Sequence, residues 1–111
     1  MTNMPEELTP TSFCARWPDE DLDEVQLLDV REPEELAIAS LPGALHIPMR
    51  EIPGRLAELD RDRPVVVMCH AGVRSRHVAA FLLANNFEQV FNLAGGIDAW
   101  SAEVDPTLPR Y

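Results

Sequence analysis

Short, mainly apolar runs alternate along this chain with segments whose apolar positions recur at helical spacing. EVQLLDV (residues 24–30) and PVVVMC (residues 64–69) are short apolar runs rich in Val and Leu, the pattern of strands covered on both faces. QVFNL (89–93) predicts a third strand and ALHI (44–47) a fourth, weaker one. Between them lie helical signals. REPEELAIA (31–39) carries Pro33 where a first-turn proline belongs, with Glu32, Glu34 and Glu35 placed to favour a helix N-terminus. IPGRLAELD (52–60) repeats that device at Pro53, and SRHVAAFLLANN (75–86) aligns Val78, Phe81 and Leu82 before Asn85 and Asn86, which tolerate a left-handed cap. A helix over residues 11–17 and a short one over 97–101 complete the set, with no internal repeat or linker.

Strands alternating with helices predict an α/β fold, a mostly parallel central sheet with helices on both faces. A chain of 111 residues is expected to form one domain, residues 1–111, with a core of its own. Ligand sites in such sheets form at the carboxyl ends of the strands, and Cys69 stands at one such end.

That position has a chemical reading. The strand delivers Cys69 into a tight turn, HAGVR (70–74), whose Gly72 can adopt backbone angles closed to other residues. A helix is expected to begin near Ser75, so the turn's amides can point inward as an anion nest, reinforced by the helix dipole. A thiol in that field ionises below its free value of about 8.5. The plainer alternative is a buried cysteine acting as a small hydrophobe; the neighbouring Gly, Arg and Ser weigh against it.

Composition narrows the function classes. The 46% hydrophobic and 25% charged fractions are those of a globular protein. Nineteen acidic residues face nine basic ones, all arginine, for a net charge of −10, which repels phosphate backbones and argues against nucleic acid and anionic membranes as partners. The N-terminus MTNMPEELTPTSF lacks the basic flank and apolar core of a secretory signal, so a cytoplasmic location is expected, with Cys14 and Cys69 as free thiols. His46, His70, His77 and the cysteines fall into no metal-ligand spacing, and no metal or cofactor is expected.

LLDVREPEEL, LPGALHIP, VVVMCHAGVRS and FNLAGGIDAW occur in the order and spacing of the signature blocks of one family. The chain resembles the rhodanese-like sulfurtransferase domains over nearly its whole length. The resemblance implies that Cys69 takes a sulfane sulfur from a donor, becomes a persulfide, and yields the sulfur to a thiophilic acceptor: cyanide in an assay, a thiol or protein in the cell. His70, Ala71, Gly72, Val73, Arg74 and Ser75 would form the anion-binding loop, and Asp29 and Arg31, matching the family's Asp-x-Arg element, would buttress it. The span from Cys69 to Arg74 is one residue shorter than the Cys-x5-Arg loop of the related dual-specificity phosphatases, which makes a phosphatase the lesser alternative. CHAGVRS and NLAGGIDAW look like the rhodanese domains joined to E1-like adenylyltransferases, suggesting a sulfur-accepting protein of such a pathway as partner. A binding module without turnover is the other alternative; such modules usually lack the cysteine.

Individual residues leave choices open. Arg74 either supplies charge at the loop mouth or pairs with an acid such as Asp29 or Glu35. Ser75 is a helix cap or a sulfur contact, and His70 could tune the neighbouring thiol. Gly95 and Gly96 read as a turn, Trp17 and Trp100 as core aromatics, and Cys14 as core packing or a resolving thiol. Two departures from the family pattern stand out. Ala39-Ser40 replaces the usual Gly-His, and Ala71 sits where the two-domain thiosulfate enzymes carry a base that helps bind the donor, so efficient use of thiosulfate is not expected.

Overall fold

The computed structural model describes residues 4–18 and 23–111; residues 1–3, part of the N-terminal stretch read above, and 19–22 lie outside it. Five strands form one sheet: β1 (Glu6–Leu8), β2 (Gln26–Asp29), β3 (Leu45–His46), β4 (Val65–Met68) and β5 (Val90–Leu93), in the order β1-β5-β4-β2-β3. Every pairing is parallel, with Leu28 beside Val67 and Val67 beside Asn92 across the three central strands. Helices α1 (Pro10–Arg16), α2 (Pro33–Leu36), α3 (Val73–Ala84) and α4 (Gly96–Glu103) connect them.

β4 is central, and all four of its residues are buried. Because side chains alternate along a strand, its residues divide between two cores. Val66 and Met68 join Phe13, Trp17, Phe91, Ile97 and Trp100 under α1 and α4, whereas Val65, Val67 and Cys69 join Val78, Ala79 and Leu82 of α3. Each fully buried aliphatic side chain of this kind contributes about 1.5–3 kcal/mol. That covering of both faces explains why the run shows no polar alternation. Trp17 and Trp100 are core aromatics as expected. Cys14 packs against the α1/α4 core, on the opposite face of the sheet from Cys69.

The structure departs from the expected elements in several places. β1 carried no strand signal: Glu-Glu-Leu has one apolar residue, and as an edge strand it buries only Leu8. The segment 52–60 is not an α-helix but two 3-10 stretches, Met49–Gly54 and Leu56–Glu58; Pro53 and Gly54 in succession remove a donor and add backbone freedom, which a longer helix does not tolerate. α2 keeps Pro33 in its first turn and closes a capping box between Glu32 and Glu35, but ends after four residues. Of the three apolar residues aligned along α3, Val78 and Leu82 are buried and Phe81 is 37% exposed, while Asn86 does take the left-handed conformation after α3 at φ 70°.

Candidate active site

Two glycines set the turn after β4. Gly72, at φ 100°, caps α3, which starts at Val73, two residues before the expected Ser75. Gly96, at φ 60°, opens α4 directly beneath the turn: a Cβ there would lie 2.3 Å from the Cys69 carbonyl oxygen and 2.5 Å from that of His70. The close approach lets α4 grip both carbonyls, Ile97 N–H donating to Cys69 at 2.9 Å and Asp98 N–H to His70 at 3.1 Å. With its carbonyls held on that side, the turn presents its amides inward. Gly96 thus does more than reverse the chain.

Three donors lie within hydrogen-bond reach of Cys69 Sγ: the Gly72 N–H at 3.1 Å, the Ser75 N–H at 3.4 Å and the Ser75 hydroxyl at 3.3 Å. The residue is only 1% exposed. Burial pushes the thiol up, but the Ser75 hydroxyl and the Ser75, Gly72 and Ala71 amides outweigh it, so Cys69 ionises below an ordinary cysteine. Behind Ser75 stands Asn92 of β5, fully buried, its Oδ1 2.5 Å from Ser75 Oγ. Its Nδ2 donates to the Gly72 carbonyl at 3.0 Å and to Glu7 of β1 at 2.9 Å.

The remaining expected residues separate into the outside of the turn and its flank. Ala71 and Val73 face solvent, Val73 at 59% exposure. Arg74 is taken by Glu35, one of the two acids the sequence offered it, through contacts of 2.7 and 2.8 Å. That pairing, foremost, holds the Glu35 carboxyl down at about 2. Asp29 and Arg31 are both fully buried, joined by contacts from Nε at 3.0 Å and Nη2 at 2.8 Å. Arg31 also donates to the Ala39 carbonyl at 2.7 Å and to Tyr111 at 2.9 Å. The pair adjoins the end of β4, where Val30 N–H bonds the Met68 carbonyl, and makes no hydrogen bond to Sγ.

Three contributors lay outside the sequence reading. Asn92 left a signal, a polar residue in the middle of the fully buried strand VFNL. Glu7 left none, sitting in a strand without periodicity. Tyr111, at the far end of the chain, stacks on His70 with centroids 4.0 Å apart and planes at 10°, and its hydroxyl donates to Glu35 at 3.0 Å. His70 therefore faces Tyr111, leaving the Sγ contacts to Gly72 and Ser75. Among the described residues no three His, Cys, Asp or Glu side chains gather as metal ligands, and no helix is long and apolar enough to cross a membrane.

The model of the rhodanese-like domain matches residues 15–103. The chain belongs to the rhodanese-like domain family. This rhodanese-like domain is 43% identical over 81 residues to a sulfurtransferase of Allochromatium vinosum, covering 73% of the chain and 76% of that protein. It is 44% identical over 94 residues, 81% of the chain, to the chloroplastic rhodanese-like/PpiC domain-containing protein 12 of Arabidopsis thaliana, of whose length it spans 31%. Among solved structures, a rhodanese-like domain protein from Staphylococcus aureus superposes with a TM-score of 0.79 at 31% identity, over 96% of this chain and 98% of that one.

Proposed function

We propose that this rhodanese-like domain is a sulfurtransferase that carries sulfur as a persulfide on Cys69. The observation that carries the reading is the convergence of the Gly72 and Ser75 amides and the Ser75 hydroxyl on Sγ. The sulfurtransferase name of the Allochromatium relative supports the reaction class.

The chemistry is two displacements. The Cys69 thiolate attacks the outer sulfur of the donor; the Sγ–S bond forms as the donor's S–S bond breaks, and with thiosulfate the leaving group is sulfite. The acceptor's nucleophile then attacks the terminal sulfur, the new bond forms, Sγ–S breaks, and the thiolate is restored. Each step needs a thiolate and a cradle for negative charge, with no separate general base. The persulfide's outer sulfur is itself anionic, and the same N–H donors that lower the thiol serve it.

Donor and acceptor follow from the charges around the loop. Both flanking arginines are committed, Arg31 to Asp29 and Arg74 to Glu35, and Ala71 brings none. A small dianion such as thiosulfate meets amide dipoles alone against a net charge of −10. Persulfide-bearing proteins or thiols are therefore the better donors, and a sulfur-accepting protein, for instance of an E1-like adenylyltransferase pathway, is the proposed acceptor, in the cytoplasm and with residues 1–111 acting as one domain. A phosphatase is disfavoured by the Cys-x4-Arg loop, which is small for a tetrahedral phosphate, and a silent binding module by the retained cysteine.

Turnover tests the reading. Thiosulfate and cyanide should yield thiocyanate with the wild type and with Cys14→Ser, and none with Cys69→Ser. Aryl phosphate hydrolysis that survives purification and vanishes in Cys69→Ser, with no thiocyanate formed, contradicts it.

A further inference from the structure

The Ser75 hydroxyl has one proton and two acceptors in reach, Asn92 Oδ1 at 2.5 Å and Cys69 Sγ at 3.3 Å. The orientation of the Asn92 amide is fixed by its other contacts. Nδ2 faces the Gly72 carbonyl and the Glu7 carboxylate, both acceptors, so the atom turned to Ser75 is the carbonyl oxygen, which cannot donate. All three residues of the chain Asn92–Ser75–Cys69 are nearly or wholly buried, at 0%, 0% and 1% exposure, so water does not stand in for a missing partner.

We propose that Asn92 is a positioning residue that competes with Cys69 for the Ser75 hydroxyl proton and thereby sets how readily the sulfur takes up negative charge. With Cys69 as a thiol, Ser75 Oγ–H donates to Asn92 Oδ1 across the short contact, and Oγ is left free to accept from the thiol. When Cys69 loses its proton to solvent, Oγ–H turns to Sγ and Asn92 Oδ1 gives up that donor. A buried carbonyl losing its partner is costly, so ionisation proceeds against Asn92. At the same time Asn92 keeps the Gly72 carbonyl facing away from the sulfur, with the Gly72 amide aimed at it. One side chain thus aligns the cradle and moderates its strength.

The inference rests on the reading of Cys69 as the group that ionises, and is tested by ionisation alone, without sulfur transfer. The rate of Cys69 alkylation by iodoacetamide, located by peptide mass, is followed against pH in wild type, Asn92→Ala, Ser75→Ala and the double variant. The charged and titratable groups around the site are Arg74 with Glu35 on α3 and α2, Asp29 at the end of β2 with Arg31 after it, Glu7 and its partner Arg76, His70 in the turn, Tyr111 stacked on it and Asp98 on α4. They are common to all four proteins, and the release of Glu7 from Asn92 is common to both Asn92 variants, so these effects cancel in the cycle.

The midpoint shift caused by Asn92→Ala should be more negative with Ser75 present than in the Ser75→Ala background, by about half a unit to one unit, the worth of one strengthened hydrogen bond to a thiolate. An equal shift in both backgrounds, or one more positive with Ser75 than in Ser75→Ala, overturns the inference. Should Asn92→Ala not fold, NMR of the wild type decides: the Asn92 side-chain carbonyl resonance should titrate with the Cys69 midpoint and cease to do so in Ser75→Ala. A flat carbonyl resonance, or one equally responsive without the Ser75 hydroxyl, overturns it.

Discussion

The Arg74 guanidinium lies against the Glu35 carboxylate in a two-point contact, joining the first turn of α3 to α2. The arginine at the mouth of the loop is therefore neutralised by a partner that the Tyr111 hydroxyl and the Glu32 amide also hold in place. The sequence left Arg74 a choice between free charge and an acid such as Asp29 or Glu35; the pairing with Glu35 decides what charge a donor meets.

Glu35→Gln should release that charge. With Arg74 free to meet an anion, thiosulfate should be used with a lower KM, by roughly fivefold for a partly exposed charge worth about 1 kcal/mol. Saturation kinetics in both proteins check this, and an unchanged KM means Arg74 does not face the donor.

The same pair predicts an acid-sensitive component of stability. The Glu35 carboxyl titrates at about 2 in the folded protein and near 4.3 when unfolded. A depressed folded value means the stabilisation is complete above the unfolded value and fades as pH falls from about 5 toward 2. Urea midpoints measured across that window should fall less steeply in Glu35→Gln than in wild type; parallel curves contradict the assignment.

Much of this was legible in the residues. Val65 to Met68, covered on both faces, left an apolar run that any reading takes as a central strand, and the Cys-to-Ser turn at its end placed the candidate site. What stayed hidden depended on partners remote in sequence. β1 is specified by its place beside β5 more than by its own Glu-Glu-Leu. Tyr111 reaches His70 because the chain after α4 doubles back, with Arg110 bound to Asp98. The role of Gly96 appears only once α4 is docked under the Cys69 and His70 carbonyls.

Gly96→Ala should therefore disturb the site more than an exposed glycine would. Its Cβ would collide with two carbonyls held by backbone hydrogen bonds, at a φ unfavourable to alanine. A loss of about 2–4 kcal/mol in stability is expected, together with slower alkylation of Cys69. Gly54, whose Cβ would meet nothing, is the control: Gly54→Ala should leave both quantities nearly unchanged. Equal behaviour of the two variants contradicts the gripping role of α4.

Ala71 offers the converse experiment, a gain. Its side chain is exposed on the loop, so a base there meets no steric obstacle. Ala71→Lys should raise kcat/KM for thiosulfate about five- to thirtyfold, the worth of a close charge contact of about 1–2 kcal/mol. Moderate salt should lower or leave unchanged the wild-type KM by screening the acidic surface. A wild type that already saturates at low thiosulfate, and gains nothing from the lysine, shows that position 71 is not a donor contact.

The central claim is that Cys69 alone carries the sulfur, and intact-protein mass spectrometry after incubation with a sulfane donor tests it most directly. Wild type and Cys14→Ser should each gain the mass of one sulfur atom and lose it on addition of cyanide, while folded Cys69→Ser should gain nothing. Sulfur loading that persists in Cys69→Ser, or that disappears in folded Cys14→Ser, would contradict the account.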